Sequence, residues 1–390
     1  MTHFRGSRIL TAGLCALALL SAALLPMTPN VARAKGNRGD MDWQVLTPVS
    51  YKNLTIFPIR GADREGADAY VTLDEGTKGG TVVITEKGTR VASRGVHRGQ
   101  ANAANRVAVQ QQAVSYNEGA SVNELALVNK SGKKLLLLAG EVIVGGQQDR
   151  IVQEDRIIPP VSVPIALNVF CVEHGRWTPR NTSYSGGGAS GGGSAPSPRM
   201  APAAEDAPAK FSSLGAVAHP KLRGAAQDSK EQSAVWSEVR ANNAKLGTSN
   251  TTDTYQEVYA SKRVSAQLDD YVRTLEREVM QPGVIGVVVA RNGKPIWADI
   301  FASHRLFAGY WPKLLKSYAV DALGDNQSDK RPTTEEASRY LHAREGTVST
   351  TTENGIYQLV KTEQSAYAVF ELNDISLASP LRLHFNKMDR

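Results

Sequence analysis

The chain has 390 residues, with 45 Lys+Arg against 38 Asp+Glu, a formal net charge of +7 and a pI of about 9.3. Hydrophobic residues make 41% and charged residues 21%, which excludes a wholly disordered or collagen-like chain. These totals name no reaction, but the order of the residues discloses a compartment, an architecture and one polar site.

His3, Arg5 and Arg8 precede an apolar run from Ile9 to Leu25, and Ala32-Arg33-Ala34 supplies a small-x-small cleavage pattern. Residues 1–34 therefore read as a general secretory signal peptide, and the mature protein as secreted or periplasmic. Arg5 and Arg8 are not adjacent, which argues against the twin-arginine route; Pro26 and Pro29 argue against an uncleaved anchor. Cleavage removes Arg5, Arg8 and Arg33 and no acidic residue, lowering the formal charge from +7 to +4. That is too weak a balance to argue for nucleic acid as a partner. Nothing downstream is apolar for long enough to span a bilayer. Cys15 leaves with the signal, so the mature chain keeps only Cys171 and forms no internal disulfide.

From Met41 to Trp177 short apolar, β-branched runs separated by turn signals predict strands at Leu54–Ile59, Thr81–Thr85, Glu124–Val128, Lys134–Leu138, Glu141–Val144 and Pro164–Glu173. Between Val91 and Gln112 the polar stretch holding Arg94, His97 and Arg98 reads as a solvated loop. From Thr178 composition shifts to Gly, Ser, Ala and Pro, so residues 178–225 are expected to be a flexible insert within one domain spanning 35–390. Gly188-Ala189-Ser190-Gly191-Gly192 matches a serine-hydrolase elbow by letter only, because that chemistry needs a rigid strand-to-helix turn.

Beyond the insert the period becomes helical. One helix is expected around Lys230–Lys245, and a second is capped by Ser261, with Val264, Leu268, Tyr271, Val272, Leu275 and Val279 as its apolar stripe. Val284–Ala290 and Ile296–Phe301 flank Arg291-Asn292-Gly293-Lys294, a hairpin signature. Phe307, Tyr310, Trp311, Leu314, Leu315, Tyr318 and Ala322 form another helical stripe, with Pro312 at its first turn or marking a kink. A short helix from Pro332 to about His342 and strands near Tyr357–Lys361, Ala366–Leu372 and Leu381–Phe385 complete the chain. The expected fold is α+β: a mostly antiparallel, β-rich first half packed with a helix-rich second half that contains a β-hairpin.

The densest chemistry lies in Gly140-Glu141, Gly145-Gly146-Gln147-Gln148-Asp149-Arg150 and Phe170-Cys171-Val172-Glu173-His174-Gly175-Arg176-Trp177. These strings resemble the ARG and rhodanese-phosphatase-superfamily-associated protein domain. The likeness continues through Gln232-Ser233-Ala234-Val235-Trp236, Gly286-Val287-Val288-Val289 and Leu314-Leu315-Lys316-Ser317-Tyr318-Ala319. It implies that the halves flanking the insert form one domain, and it brings no established activity. Asp149 stands where the family pattern has Asn, and His174 where it has Gln or Arg.

Strand alternation places Val169, Cys171 and Glu173 on one face, and drawing Glu173 inward demands a cationic partner, Arg176 or Arg150. Two readings stand for Glu141, Gln148, Arg150, Glu173 and Arg176. One is a fold-stabilising network in which Gly140, Gly145 and Gly146 permit close backbone approach. The other is a pocket where Gln148, Arg150 and Arg176 bind an anionic or carbonyl-bearing ligand and Glu141 or Glu173 serves as general base. Cys171 reads as a buried inert thiol, and Trp177, like Trp236 and Trp311, as packing. No recognised metal-ligand spacing is present, and neither metal nor cofactor is expected.

The leading functional expectation is a binding or accessory module for an unknown small molecule or envelope component. The runner-up is a metal-independent hydrolase acting on a small extracellular or envelope substrate through Glu173 or Glu141. A scaffold that presents the glycine-rich insert is a third class.

Overall fold

The computed structural model describes residues 42–87, 123–175, 210–325, 328 and 330–390. Residues 1–34, read from the sequence as a signal peptide, the polar stretch 91–112, most of the expected insert, Arg176 and Trp177 lie outside the described residues.

The first stretch contains β1 (Gln44–Val45), β2 (Val49–Tyr51), β3 (Leu54–Arg60), β4 (Tyr70–Thr72), the short helix α1 (Leu73–Lys78) and β5 (Val82–Glu86). The second supplies β6 (Glu124–Asn129), β7 (Lys134–Leu137), β8 (Glu141–Gly145), β9 (Arg150–Val152), β10 (Arg156–Ile158) and β11 (Val161–Cys171). The third runs through β12 (Lys210–Val217), α2 (Pro220–Gly224), α3 (Gln232–Leu246), α4 (Glu257–Ala260), α5 (Lys262–Val279), β13 (Val284–Arg291), β14 (Lys294–Phe301) and α6 (His304–Ala322). Last come α7 (Thr334–His342), β15 (Thr347–Glu353), β16 (Tyr357–Gln364), β17 (Tyr367–Asp374) and β18 (Leu381–Asp389).

A nine-stranded antiparallel sheet runs β1-β3-β13-β14-β18-β17-β16-β15, with β2 also pairing β3. Residues 44–60 thus share a sheet with the last strands of the chain. A six-stranded barrel closes in the order β11-β6-β5-β12-β8-β9, and a small sheet β10-β7-β4 stands beside it.

The expected division into a β-rich first half and a helix-rich second half is incorrect. Seven of the strands, β12 to β18, begin at or after residue 210, and the helices are scattered between strands. The short elements β1, β2, β4, α1, β9, β10 and α4 were not expected from the sequence, and two longer segments also escaped it. Residues 210–225, assigned to the insert, form β12 and α2. β12 carries Ser212, Ser213 and Gly215, so it lacks an apolar alternation, and its partners β5 and β8 hold it in the barrel. β15 is a threonine-rich strand exposed at every position.

Elsewhere local signals and structure agree. Asn292 (φ 51°) and Gly293 (φ 81°) make the two-residue turn between β13 and β14, with Arg291 opposite Lys294. α5 buries Val264, Leu268, Tyr271, Leu275 and Val279 along one stripe. Ser261 stands at its N-cap without a side-chain hydrogen bond, and Pro312 lies inside α6 rather than in its first turn.

The largest core lies where α5 and α6 cover the nine-stranded sheet, joining Ile56, Val287 and Phe301 to Leu275, Tyr310 and Leu314. A second fills the barrel with Val82, Ile84, Leu125, Leu127, Ile143, Val152, Leu167, Val169 and Phe211. A third packs Ala337 and Leu341 of α7 on the opposite sheet face. Among the described residues no helix is long and apolar enough to cross a membrane.

Candidate functional site

One end of the barrel collects the hairpin between β8 and β9, the last residues of β5 and β11 and the first of β12. Segments 88–122 and 176–209 both connect to the chain at this end. Arg150 opposes Cys171 on β11 and Ile143 on β8. Because Ile143, Val152 and Val169 line the barrel core, alternation turns Arg150 and Cys171 inward with them, and Glu86 follows Ile84 in the same way.

Arg150 is 1% exposed. Its Nη1 donates to Gln148 Oε1 at 3.3 Å and to the Asp149 carbonyl at 3.4 Å, while Nε has no hydrogen-bond partner among the described residues. Burial raises the Cys171 thiol pKa, with Arg150 pulling it down and Glu86 pushing it up. The thiol is therefore protonated at neutral pH.

Arg150 and Glu173 meet at Asp149 and form no ion pair with each other. Asp149 N–H donates to Glu173 Oε2 at 3.2 Å. The Asp149 carboxylate accepts from Gly145 N–H (3.3 Å) and the Thr254 hydroxyl (2.9 Å), and its carbonyl accepts from Val172 N–H (3.0 Å). Asp149 thus clasps the hairpin to β11 and to the segment before α4, a role the sequence reading did not give it. Gly146 is required where it stands. Its φ is 51°, and a Cβ there would run into the Phe211 ring and Glu86.

Glu141 does not belong to this cluster. It begins β8, four residues from Gly145, which is about 13 Å along a strand. Its Oε2 accepts from Leu138 N–H at 2.9 Å and its Oε1 from the Lys313 amine, which also donates to Asp74 Oδ2 at 2.8 Å. The Ser213 hydroxyl donates to Asp74 Oδ1. Burial raises the Glu141 pKa against the pull of Lys313; burial also pushes the Asp74 pKa up, but the charge and hydrogen bond of Lys313 together with the Ser213 hydrogen bond outweigh it and lower the pKa.

A third group lies behind the Ala139–Gly140 turn. The Arg223 guanidinium binds Asp299 through both terminal nitrogens and donates from Nε to the Ala139 carbonyl at 3.2 Å. His384 bridges Asp299 (Nε2, 3.1 Å) and Asp155 (Nδ1, 2.6 Å), and Asp155 accepts from Ala139 N–H at 2.7 Å. Trp297, Tyr318 and Asn386 donate to Asp299 as well. Burial alone would lower the His384 pKa, but Asp155 and Asp299 raise it to about 9; burial would raise that of Asp299, but Arg223 and His384 hold it well below the usual carboxylate range. All four charged residues are buried without exposure, which makes the group an internal lock with no room for a substrate.

Asp299 and Lys313 were missed because each is a single polar residue among apolar neighbours, and His384 because Arg382, His384 and Asn386 alternate with apolar residues as on an ordinary half-exposed strand. For Asp299 and Lys313 that interruption was the available signal. Among the described residues, no group of three or more His, Cys, Asp or Glu is placed to hold a metal ion. An open groove of about 520 Å³ lined by Gly61, Asp63, Met280, Pro282, Gly283 and His304 contains none of the expected site residues.

No curated protein and no solved structure matches the chain. A family model does match, over residues 42–374, from the start of the nine-stranded sheet to the end of β17, including the barrel, the Asp149 and Lys313 groups and, of the third group, all but the β18 residues His384 and Asn386. The chain belongs to the ARG and Rhodanese-Phosphatase-superfamily-associated Protein domain family.

Proposed function

We propose that the protein is an exported binding or accessory module whose ligand engages the barrel end around Gln148 and Arg150. The carrying observation is a guanidinium enclosed among Ile143, Val152 and Val169 with Nε lacking an acceptor among the described residues. An unsatisfied buried donor costs about 1–3 kcal/mol, so a ligand carbonyl or carboxylate placed there gains that much in addition to its own contacts. Barrel mouths are common ligand sites, and two long segments join the chain beside this one. The hydrolase reading is weaker, since Glu141 and Glu173 are both fully enclosed and separated along the fold.

The test is a thermal-shift screen of the mature protein against carboxylate- and carbonyl-bearing envelope sugars, peptides and nucleotides. A true ligand raises the melting temperature of the wild type and fails to do so for Arg150→Lys or Gln148→Ala of unchanged circular dichroism. Equal stabilisation of all three proteins would place the site elsewhere. Export is tested by fractionation and N-terminal sequencing, with a mature terminus expected at Lys35.

A further inference from the structure

At the other end of the barrel from Gln148 and Arg150, two carboxylates far apart in sequence enclose one amine. Lys313 of α6 is 3% exposed and lies beneath the Tyr310 ring, 4.5 Å from its centroid. Its amine touches Asp74, in the first turn of α1, at 2.8 Å, and Glu141 at the start of β8. Each carboxylate is fixed in direction: Ser213 holds the far oxygen of Asp74, and the Leu138 amide that of Glu141. Amine and carboxyl groups are thus held in the contact range of a reacting pair, where intramolecular placement is worth effective molarities of about 10⁵ M or more.

We propose that Lys313 and Asp74 condense into an intramolecular isopeptide bond joining α6 to α1, with Glu141 relaying the protons. Lys313 passes one proton through Glu141 to Asp74, and the freed amine attacks Cγ of the resulting neutral carboxyl, forming the N–C bond. Glu141 then carries a second proton from the nitrogen to the hydroxyl oxygen of the tetrahedral centre. The C–O bond breaks and water leaves. An ammonium and a carboxylate become an amide and one water, and Glu141 returns to its starting state.

Asp74 is the electrophile because its side chain is 33% exposed, which gives the water an exit, whereas Glu141 is sealed. The enclosed setting favours the product, since a neutral amide carries none of the desolvation cost of a buried ion pair. With Cys171 as the sole cysteine beyond the signal, the bond would staple positions 74 and 313 where no disulfide can.

The test is tryptic digestion of the denatured full chain followed by mass spectrometry. The expected result is a branched peptide joining the segments around Asp74 and Lys313, lighter by one water than their sum. It should be absent from Lys313→Arg and from Glu141→Gln, both checked for folding by circular dichroism. Only linear peptides from the folded wild type would overturn the bond. A branch to Glu141 would overturn the choice of Asp74, and a branch persisting in Glu141→Gln would overturn the relay.

Discussion

Arg223 grips Asp299 through two parallel hydrogen bonds, Nη1 to Oδ2 at 2.8 Å and Nη2 to Oδ1 at 3.1 Å, with both side chains wholly buried. The carboxylate takes six donors, three on each oxygen, from Arg223, Trp297, Tyr318, His384 and Asn386. This one group ties β14, β18, α2 and α6 to the turn that opens β8.

Removing one partner should cost far more than removing both. Asp299→Ala leaves a buried guanidinium uncompensated and is expected to lose about 3–5 kcal/mol of stability. Arg223→Met with Asp299→Leu should lose less than the sum of the single changes. Urea unfolding of the two singles and the double checks this, and additive losses would show that the pair is not coupled.

His384 gives the lock a pH dependence. Its folded pKa of about 9 exceeds the ordinary 6.5, so its contribution is fully present below pH 6.5 and is lost as pH rises through about 9. Burial lowers the Lys387 pKa to about 7, with Arg344 adding to the effect, so Lys387 works in the opposite sense: stability rises with pH from about 7 to 10.5. A Lys387→Met background therefore isolates the histidine. Direct NMR titration of the His384 ring should give a midpoint near 9, and a midpoint near 6.5 would refute the charged bridge.

Gly140 has φ 81°, and a Cβ there would stand 2.5 Å from Arg223 Cγ, an atom fixed by the grip on Asp299. Gly132 has φ 72° with nothing within 4 Å of such a Cβ. Both alanine substitutions carry the backbone cost of about 1–2 kcal/mol for a left-handed residue. Gly140→Ala should add the displacement of Arg223 and lose at least about 1 kcal/mol more, read as a difference in denaturation midpoints.

Cys171 should resist modification. Its thiol is fully buried and its pKa raised, so a disulfide reagent should label it at the rate of unfolding, not in the native state. Immediate stoichiometric labelling of native protein would contradict this.

Local chemistry made much of the chain legible. Asn292-Gly293 marks a hairpin because only a left-handed pair of residues closes a two-residue turn. The stripe of α5 and the apolar runs at Leu54, Glu124 and Glu141 show their elements because side-chain period reports secondary structure. The glycine- and glutamate-bearing strings carry the family. The polar cluster was legible only in part: Arg150 and Glu173 do come together at the barrel end, but through Asp149, and Glu141 belongs with Lys313 and Asp74.

What remained hidden depends on neighbours distant in sequence. β12 is a strand because β5 and β8 offer it hydrogen-bonding edges, and no property of Lys210–Val217 announces them. Asp299 finds Arg223 and His384 only when three separate segments stack, since a buried charge selects its partner by where the topology brings another charge. Periodicity and turn chemistry act over a few residues and can be read along the chain. The pairing of strands and the neutralisation of buried charges act across it, so folding had to be complete before either could be known.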